Sequence, residues 1–223
     1  MSPSTASSPT VDVVEVIAER GLDDPPEIPW HLAGQPGSVR IQLRSTLRRV
    51  IMGAGLARRP ELVAATRALP DAPTVVTSPV GGTFIVGGPG WLGLAAVGVP
   101  LPGQPMPLDW MCAALHGWLA ERLAAVGQTP TLGRVDGAWC PGFSDVAAGG
   151  RKLAGMGFRV TRGWVVMRGV LAVRPIDDAD WTLLAACHRL IDVDIRREAA
   201  TSLVECTGDD SWTVERAITQ LRT

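Results

Sequence analysis

The 223-residue chain contains a single lysine, Lys152, against twenty arginines. As solvated surface cations the two residue types are nearly interchangeable. An ammonium, however, is compact, rotates three donors freely and loses its proton readily on burial, whereas a guanidinium stays charged. A lone lysine in an arginine-rich chain is therefore a candidate for chemistry. Twelve residues earlier, Cys140-Pro141-Gly142 reads as a turn that presents a thiol on a loop. Its proline fixes one backbone angle and its glycine allows close approach of backbone or ligand. Gly149-Gly150 lies between two short strand-like stretches, and a hairpin there folds Lys152 back towards the Cys140 loop. An ammonium beside a thiol favours the thiolate and offers a donor to an acyl oxygen, as nucleophilic acyl chemistry requires. The competing reading makes Cys140 a small buried hydrophobe and Lys152 a solvated strand residue.

The stretch from Trp139 to Val173 resembles the biotin/lipoate protein ligase family, in particular its lipoyl and octanoyl transferase branch. The matching residues are Cys140-Pro141-Gly142, Asp145, Gly150-Arg151-Lys152 and Ala154-Gly155, in that order, continued by Arg159, Arg162 and Gly163. Upstream, Pro79-Val80-Gly81-Gly82-Thr83-Phe84-Ile85-Val86, ending at Gly88-Pro89-Gly90, is similar to the family's Gly-Gly loop and the strand after it. With the helix after Pro107 and the final helices, the resemblance spans Val39 to Leu203.

What it implies is transfer of an octanoyl or lipoyl group, through a cysteine thioester, onto a lysine of a small lipoyl domain. Cys140 would be the nucleophile, and Lys152 would sit by the acyl carbonyl, favouring thiolate and stabilising developing negative charge. Gly81 and Gly82 would let the backbone lie close along the acyl chain, with Gly155 also in the binding motif. Asp145 is a candidate that orients the loop. Eight methylene-scale groups in an apolar slot, at about 0.8 kcal/mol each, would supply several kcal/mol of binding. The implied partners are a lipoyl-domain protein or an acyl-carrier protein. No metal and no cofactor are expected, ATP entering only in the ligase alternative.

Several positions depart from the family pattern. Thr77 and Ser78 stand where basic residues usually precede the glycine pair, and Gly87 where a histidine or aspartate often follows the strand. Asp192 to Ile195 lacks the cysteine that serves another transferase branch, and Cys187 and Cys206 read as core residues. An ATP-dependent lipoate–protein ligase must hold a triphosphate and an acyl-adenylate, so losing two basic positions weakens that alternative. A short C-terminus also leaves little room for an accessory domain. A non-catalytic member that binds a lipoyl domain is the third reading, against which the retention of Cys140 and Lys152 counts.

The elements that must position these residues follow from composition and periodicity. At 23.6 kDa, with 46% hydrophobic and 19% charged residues, one domain with a sizeable core is expected. A net charge of −1 argues against a nucleic-acid or anionic-membrane footprint. Residues 1–28 read as a flexible lead, disordered from Met1 to Pro9 without a signal peptide, then a short helix from Val11 to Arg20. Residues 29–223 read as the catalytic domain, preceded and entered through a proline-rich connection from Asp23 to Gly37. The apolar stretch from Gly90 to Pro102 is too short and too broken by glycine to span a bilayer. Four widely spaced cysteines without CxxC or metal spacing read as free thiols in a cytoplasmic protein.

Strands are expected at Val39–Leu43, Leu47–Met52, Thr74–Thr77, Thr83–Val86 and Trp91–Val97, and again at Leu132–Asp136, Asp145–Ala147, Lys152–Val160 and Trp164–Val173. Helices are expected from Pro60 through Leu69 and at Leu108–Val126, the latter carrying an apolar stripe of Leu108, Met111, Leu115, Trp118, Leu119 and Leu123. His116 within it is given no role. Further helices are expected at Asp177–Ile191, Arg196–Glu205 and Ser211–Arg222, the last capped by Asp210 or Ser211. The fold class is α+β: a single biotin/lipoate-ligase-like catalytic domain with a central mixed β-sheet flanked by helices.

Overall fold

The computed structural model describes residues 10–17, 34–103, 106–161 and 163–222. Ten strands and five helices form in chain order among them: β1 (Thr10–Ile17), β2 (Ser38–Ser45), β3 (Arg49–Met52), α1 (Pro60–Arg67), β4 (Val75–Thr77), β5 (Phe84–Gly87), β6 (Trp91–Val99), α2 (Pro107–Ala124), β7 (Thr131–Leu132), β8 (Val146–Ala148), β9 (Arg151–Thr161), β10 (Trp164–Ala172), α3 (Asp178–Arg189), α4 (Leu203–Thr207) and α5 (Val214–Arg222). Seven strands make the main sheet in the order β1-β2-β6-β10-β9-β8-β7, with β1 parallel to β2 and every other neighbour antiparallel. A second sheet, β4-β3-β5, pairs β4 parallel and β5 antiparallel to β3.

The period of two along β6 and β10 divides the core between the two faces of the main sheet. Leu92, Leu94 and Ala96 with Val165, Met167 and Leu171 face one cluster, into which α2 inserts Met111, Leu115, Trp118, Leu119 and Leu123. That is the expected stripe, joined by Cys112 and Ala114 and flanked by a half-buried Leu108. On the opposite face Trp91, Val170 and Ala172 pack with Val50, Met52, Phe84 and Val86 of the small sheet and Leu184 and Cys187 of α3. The central strands are buried on both faces near this cluster, which is why β6 reads as a continuous apolar run.

Four expectations are corrected. Val11–Arg20 is not a helix at its described residues: Thr10–Ile17 is a strand, as its β-branched TVDVVEVI sequence favours, pairing in parallel with β2. Residues 1–9 and 18–33, which hold the expected lead and most of the proline-rich connection, lie outside the described residues. The strand from Leu132 to Asp136 stops at Leu132, because Gly133 takes φ 141 and Val135 turns its N–H to the Asp145 carboxylate. The helix from Arg196 to Glu205 is interrupted. A 3₁₀ turn at Arg197–Ala199 gives way to an extended Ala200, which bridges Lys152 in parallel, and Thr201 N–H donates to the Lys152 carbonyl at 2.9 Å. Ser202 then restarts the chain as α4, its Oγ accepting from Glu205 N–H. The cap of α5 is Thr213, whose Oγ1 accepts from Arg216 N–H, rather than Asp210 or Ser211.

Candidate active site

Gly149 and Gly150 adopt φ 56 and 75, the two left-handed positions of a tight hairpin joining Ala148 of β8 to Arg151 of β9. The hairpin brings Lys152 back beside the loop carrying Cys140, as the glycine spacing predicts. There the lysine is completely buried. Its ammonium donates to the carbonyls of Trp139 at 2.8 Å and Cys140 at 2.7 Å, and lies 2.6 Å from Asp145 Oδ1. It also sits 4.0 Å from the Trp139 ring centroid, a cation–π contact in a dry setting. Burial lowers the Lys152 pKa from its ordinary value, opposed by the charges of Cys140 and Asp145. Asp145 spends its other oxygen on the N–H groups of Val135 and Gly142, so one buried carboxylate ties three segments of loop together. The three donors of the ammonium are thus spent on protein oxygens, and Lys152 stands behind the thiol loop instead of lining the cavity.

Cys140 has φ 42, a left-handed backbone that non-glycine residues adopt at a cost and that clusters at functional positions. All three of its polar groups are held. The carbonyl accepts from Lys152, the N–H donates to His188 Nε2 at 3.1 Å, and the sulfur accepts from Thr83 N–H at 3.0 Å. His188, on α3, is fully buried. Its Nδ1 faces the Leu184 carbonyl at 2.8 Å, so Nδ1 carries the proton and Nε2 accepts, also from the Thr83 hydroxyl at 3.0 Å. Burial lowers the His188 pKa from 6.5, with the Lys152 charge acting in the same direction and the Leu184 hydrogen bond opposing.

The thiol opens on a cavity of about 280 Å³ whose lining includes Gly81, Gly82, Thr83, Cys140 and Gly155. Gly82 has φ 118, and a Cβ there would lie 3.1 Å from the Cys140 sulfur, so glycine is needed both for the turn and for the approach. Gly81 has room around it, its nearest neighbour being the Phe158 carbonyl at 3.9 Å from a built Cβ. The tight approaches to this loop fall instead on Gly53 and Gly157, where a Cβ would collide with the carbonyls of Gly82 and Gly81. Gly155 lies against the lysine: a Cβ there would meet Lys152 Cε and Nζ at 2.9 Å and Trp139 at 3.0 Å. Gly81, Gly82, Cys140 and Gly155 therefore line one cavity, with Lys152 and Asp145 buried immediately behind it.

No protein-family model matches the chain. It is 34% identical over 131 residues to an octanoyltransferase of Gloeobacter violaceus, a match covering 57% of this chain and 51% of that protein. It is 30% identical over 155 residues to an octanoyl-[GcvH]:protein N-octanoyltransferase of Kyrpidia tusciae, covering 63% and 52%. Its fold superposes on lipoate-protein ligase A bound with ATP at a TM-score of 0.62 and 14% identity, covering 96% of this chain and 82% of that one. A lipoate protein ligase of Thermoplasma acidophilum with bound lipoic acid gives 0.58 and 16%, covering 96% and 83%. The chain has the fold of these lipoate-protein ligases and is similar in sequence to octanoyltransferases. Its matches span about half the length of the curated relatives.

Within this fold, His188, Thr83, Trp139, Gly53 and Gly157 are the site residues that sequence reasoning misses. His188 lies 48 residues from Cys140 on an amphipathic helix, and no spacing connects the two. Gly157 carried a signal, since it alternates with Gly155 on one face of β9. Among the motif residues, Arg159 lies on β9 and Gly163 turns at φ 76, while Arg162 lies outside the described residues. Ser78, at a departure from the family pattern, is buried at the cavity wall and takes a hydrogen bond from Val80 N–H. Cys112 and Cys187 are buried free thiols, and Cys206 is a half-buried one. Among the described residues no cluster of His, Cys, Asp or Glu could hold a metal ion, and no helix is long and apolar enough to cross a membrane.

Proposed function

We propose that this chain is a protein acyltransferase that moves an octanoyl or lipoyl group through a thioester on Cys140 to a lysine of a lipoyl domain. The observation that carries this reading is the left-handed Cys140, fixed through its N–H, carbonyl and sulfur at the wall of a cavity with apolar lining. In the first half-reaction the Cys140 sulfur attacks the carbonyl carbon of a thioester donor. The donor carbon–sulfur bond breaks, and the donor thiol leaves with the proton that Cys140 gives up. In the second, the lipoyl-domain amine attacks the Cys140 thioester, an amide forms, and the Cys140 sulfur departs and regains a proton as the nitrogen loses one.

Lys152 acts in this scheme as a positioning residue. Its donors hold the carbonyls of Trp139 and Cys140, so it sets the thiol's orientation and adds positive potential beside it without touching the acyl oxygen. His188 holds the other side of the same peptide. Gly81, Gly82 and Gly155 form cavity wall for the acyl chain, and Asp145 fixes the loop. No nucleotide and no resident cofactor take part. The relatives named octanoyltransferases favour this chemistry over the ATP-dependent ligase alternative.

The test is intact mass spectrometry after incubation with octanoyl-loaded carrier protein without ATP. The expected result is one octanoyl mass, absent in Cys140→Ser and discharged by a lipoyl domain. A folded protein that takes up no octanoyl mass refutes the thioester route. The same assay with ATP and lipoate then distinguishes ligation from a non-catalytic member.

A further inference from the structure

Arg168 occupies the floor of the cavity away from the hydrogen bonds that hold the thiol. Strand register places it on β10 between Ala95 of β6 and Gly157 of β9, and two residues along, on the same face, Val170 lies between Gly93 and Gly155. Its lateral neighbours are therefore among the smallest residues available, and it lines the cavity. Arg168 is only 9% exposed, and its buried Nε and Nη1 have no hydrogen-bond partner among the described residues. A buried guanidinium without acceptors is costly, and buried native polar groups are nearly always satisfied.

The surroundings add charge of the same sign. Arg44 also lines the cavity, its side chain lying across Gly93, where a Cβ would fall 3.1 Å from Arg44 Cγ. Burial first, and the Arg44 charge second, bring the Arg168 pKa down to about 9. No Asp or Glu occurs among the described residues that line the cavity. Two arginines therefore share a largely apolar cavity whose described lining offers no carboxylate. An apolar acyl chain gives the Arg168 guanidinium nothing to bind.

We propose that the Arg168 guanidinium binds an oxyanion, a carboxylate or a phosphate, carried by the acyl donor that enters this cavity. A planar fork of donors suits either group in two-point contact, and the neighbouring Arg44 strengthens the field that draws an anion in. Two parts of a donor could carry the oxyanion. A carboxylate would sit at the far end of the acyl chain, and a phosphate on the pantetheine arm of a carrier-type donor. This inference rests on the acyl-donor reading of the cavity, and it makes Arg168 a specificity residue for the donor.

The experiment measures binding by calorimetry in the Cys140→Ser background, where no acyl group is transferred. The ligands are S-octanoyl-pantetheine, its 4′-phosphate, and S-(7-carboxyheptanoyl)-pantetheine. One of the two anionic ligands should bind roughly tenfold to a hundredfold more tightly than the neutral one. That preference should vanish in Arg168→Gln and be only partly kept in Arg168→Lys. A phosphate preference assigns the donor arm, and a carboxylate preference assigns the acyl end. Equal binding of all three ligands, or a preference that survives Arg168→Gln, overturns the proposal. Arg168→Met supplies a fold control. Losing an unpaired buried cation should leave Tm unchanged or raised, and a large fall in Tm would show that the fold itself uses the guanidinium. Octanoyl transfer onto Cys140 without any anion preference would reject the subsite alone, whereas an anion preference without transfer would reject only the thioester route.

Discussion

Replacing Lys152 by methionine asks whether the ammonium organises the thiol loop. Methionine matches much of the lysine stem but supplies no donor to the carbonyls of Trp139 and Cys140 and no charge opposite Asp145. Asp145, 1% exposed, keeps the N–H groups of Val135 and Gly142 but becomes a buried carboxylate without a counter-charge. Removing one partner of such a pair costs about 3–5 kcal/mol, most of it the penalty on the charge left behind. A domain has about 5–15 kcal/mol of stability in total, so the variant sits near the edge of folding. Asp145→Asn should cost a comparable amount, because it strands the ammonium instead. The double variant removes both charges, and its loss should fall short of the summed single losses by about 1–3 kcal/mol. Urea unfolding of the four proteins, followed by tryptophan fluorescence, closes this cycle. If Lys152→Met stays within about 0.5 kcal/mol of the parent, or the single losses simply add, the buried pair does not hold the loop.

Three further outcomes are expected. Because burial lowers the His188 pKa below 6.5, the unfolded chain takes up a proton that the folded chain resists. Stability from this group is complete above pH 6.5 and is lost as pH falls below that value towards the depressed folded pKa. The stability difference between the parent and His188→Gln should therefore shrink from pH 7.5 to pH 5, and a constant difference would refute the neutral latch. In the native protein at pH 8, iodoacetamide should modify Cys140 first. Burial pushes the Cys112 and Cys187 thiols up to about 11 and about 12 and raises that of Cys206, so peptide mapping that finds any of these three labelled earlier contradicts the assignment. Gly82→Ala should lose more than about 1 kcal/mol and slow Cys140 labelling, since φ 118 and the 3.1 Å approach to the sulfur both exclude a methyl group. Gly81→Ala, with open space around it, should do neither, and equal effects at the two glycines would contradict the structure.

What the sequence discloses about this site is local, and what it withholds is long-range. Cys140, Asp145, Gly149-Gly150, Lys152 and Gly155 lie within sixteen residues, so turn chemistry and strand period alone bring them together. The α2 stripe was legible for the same reason, since its period is written in one helix. His188 reaches Cys140 only through the packing of α3 on the small sheet, seen in its edge contact with Phe84. Arg168 looked like one arginine among twenty, because its isolation depends on Ala95 and Gly157 on two other strands. The errors have the same origin. Val11–Ile17 has apolar residues that suit either a helix face or an edge strand, and the partner strand β2 decides. Ala200 and Thr201 leave the expected helix because the backbone of Lys152 offers them a strand-like partner.

That last contact bears on how the site is built. The ammonium of Lys152 holds the thiol loop while its backbone carbonyl holds Thr201, so one residue joins the Cys140 loop to the C-terminal segment. Three separate stretches of chain then converge on Cys140: Thr83 after the glycine pair at its sulfur, Lys152 from β9 at its carbonyl, and His188 from α3 at its N–H. A left-handed backbone at a non-glycine residue persists only where the surroundings over-determine it, and three long-range contacts to one residue meet that condition. The thiol is therefore set before any substrate arrives, so on the proposed thioester route ordering it costs nothing at the moment of reaction. The cavity floor differs in this respect. There the buried nitrogens of Arg168 lack acceptors among the described residues, where a single carboxylate would have supplied them. On the proposed route, a fold that pins its thiol with three contacts and leaves Arg168 without an acceptor among the described residues has completed the part that would react, and left open the part that would choose the substrate.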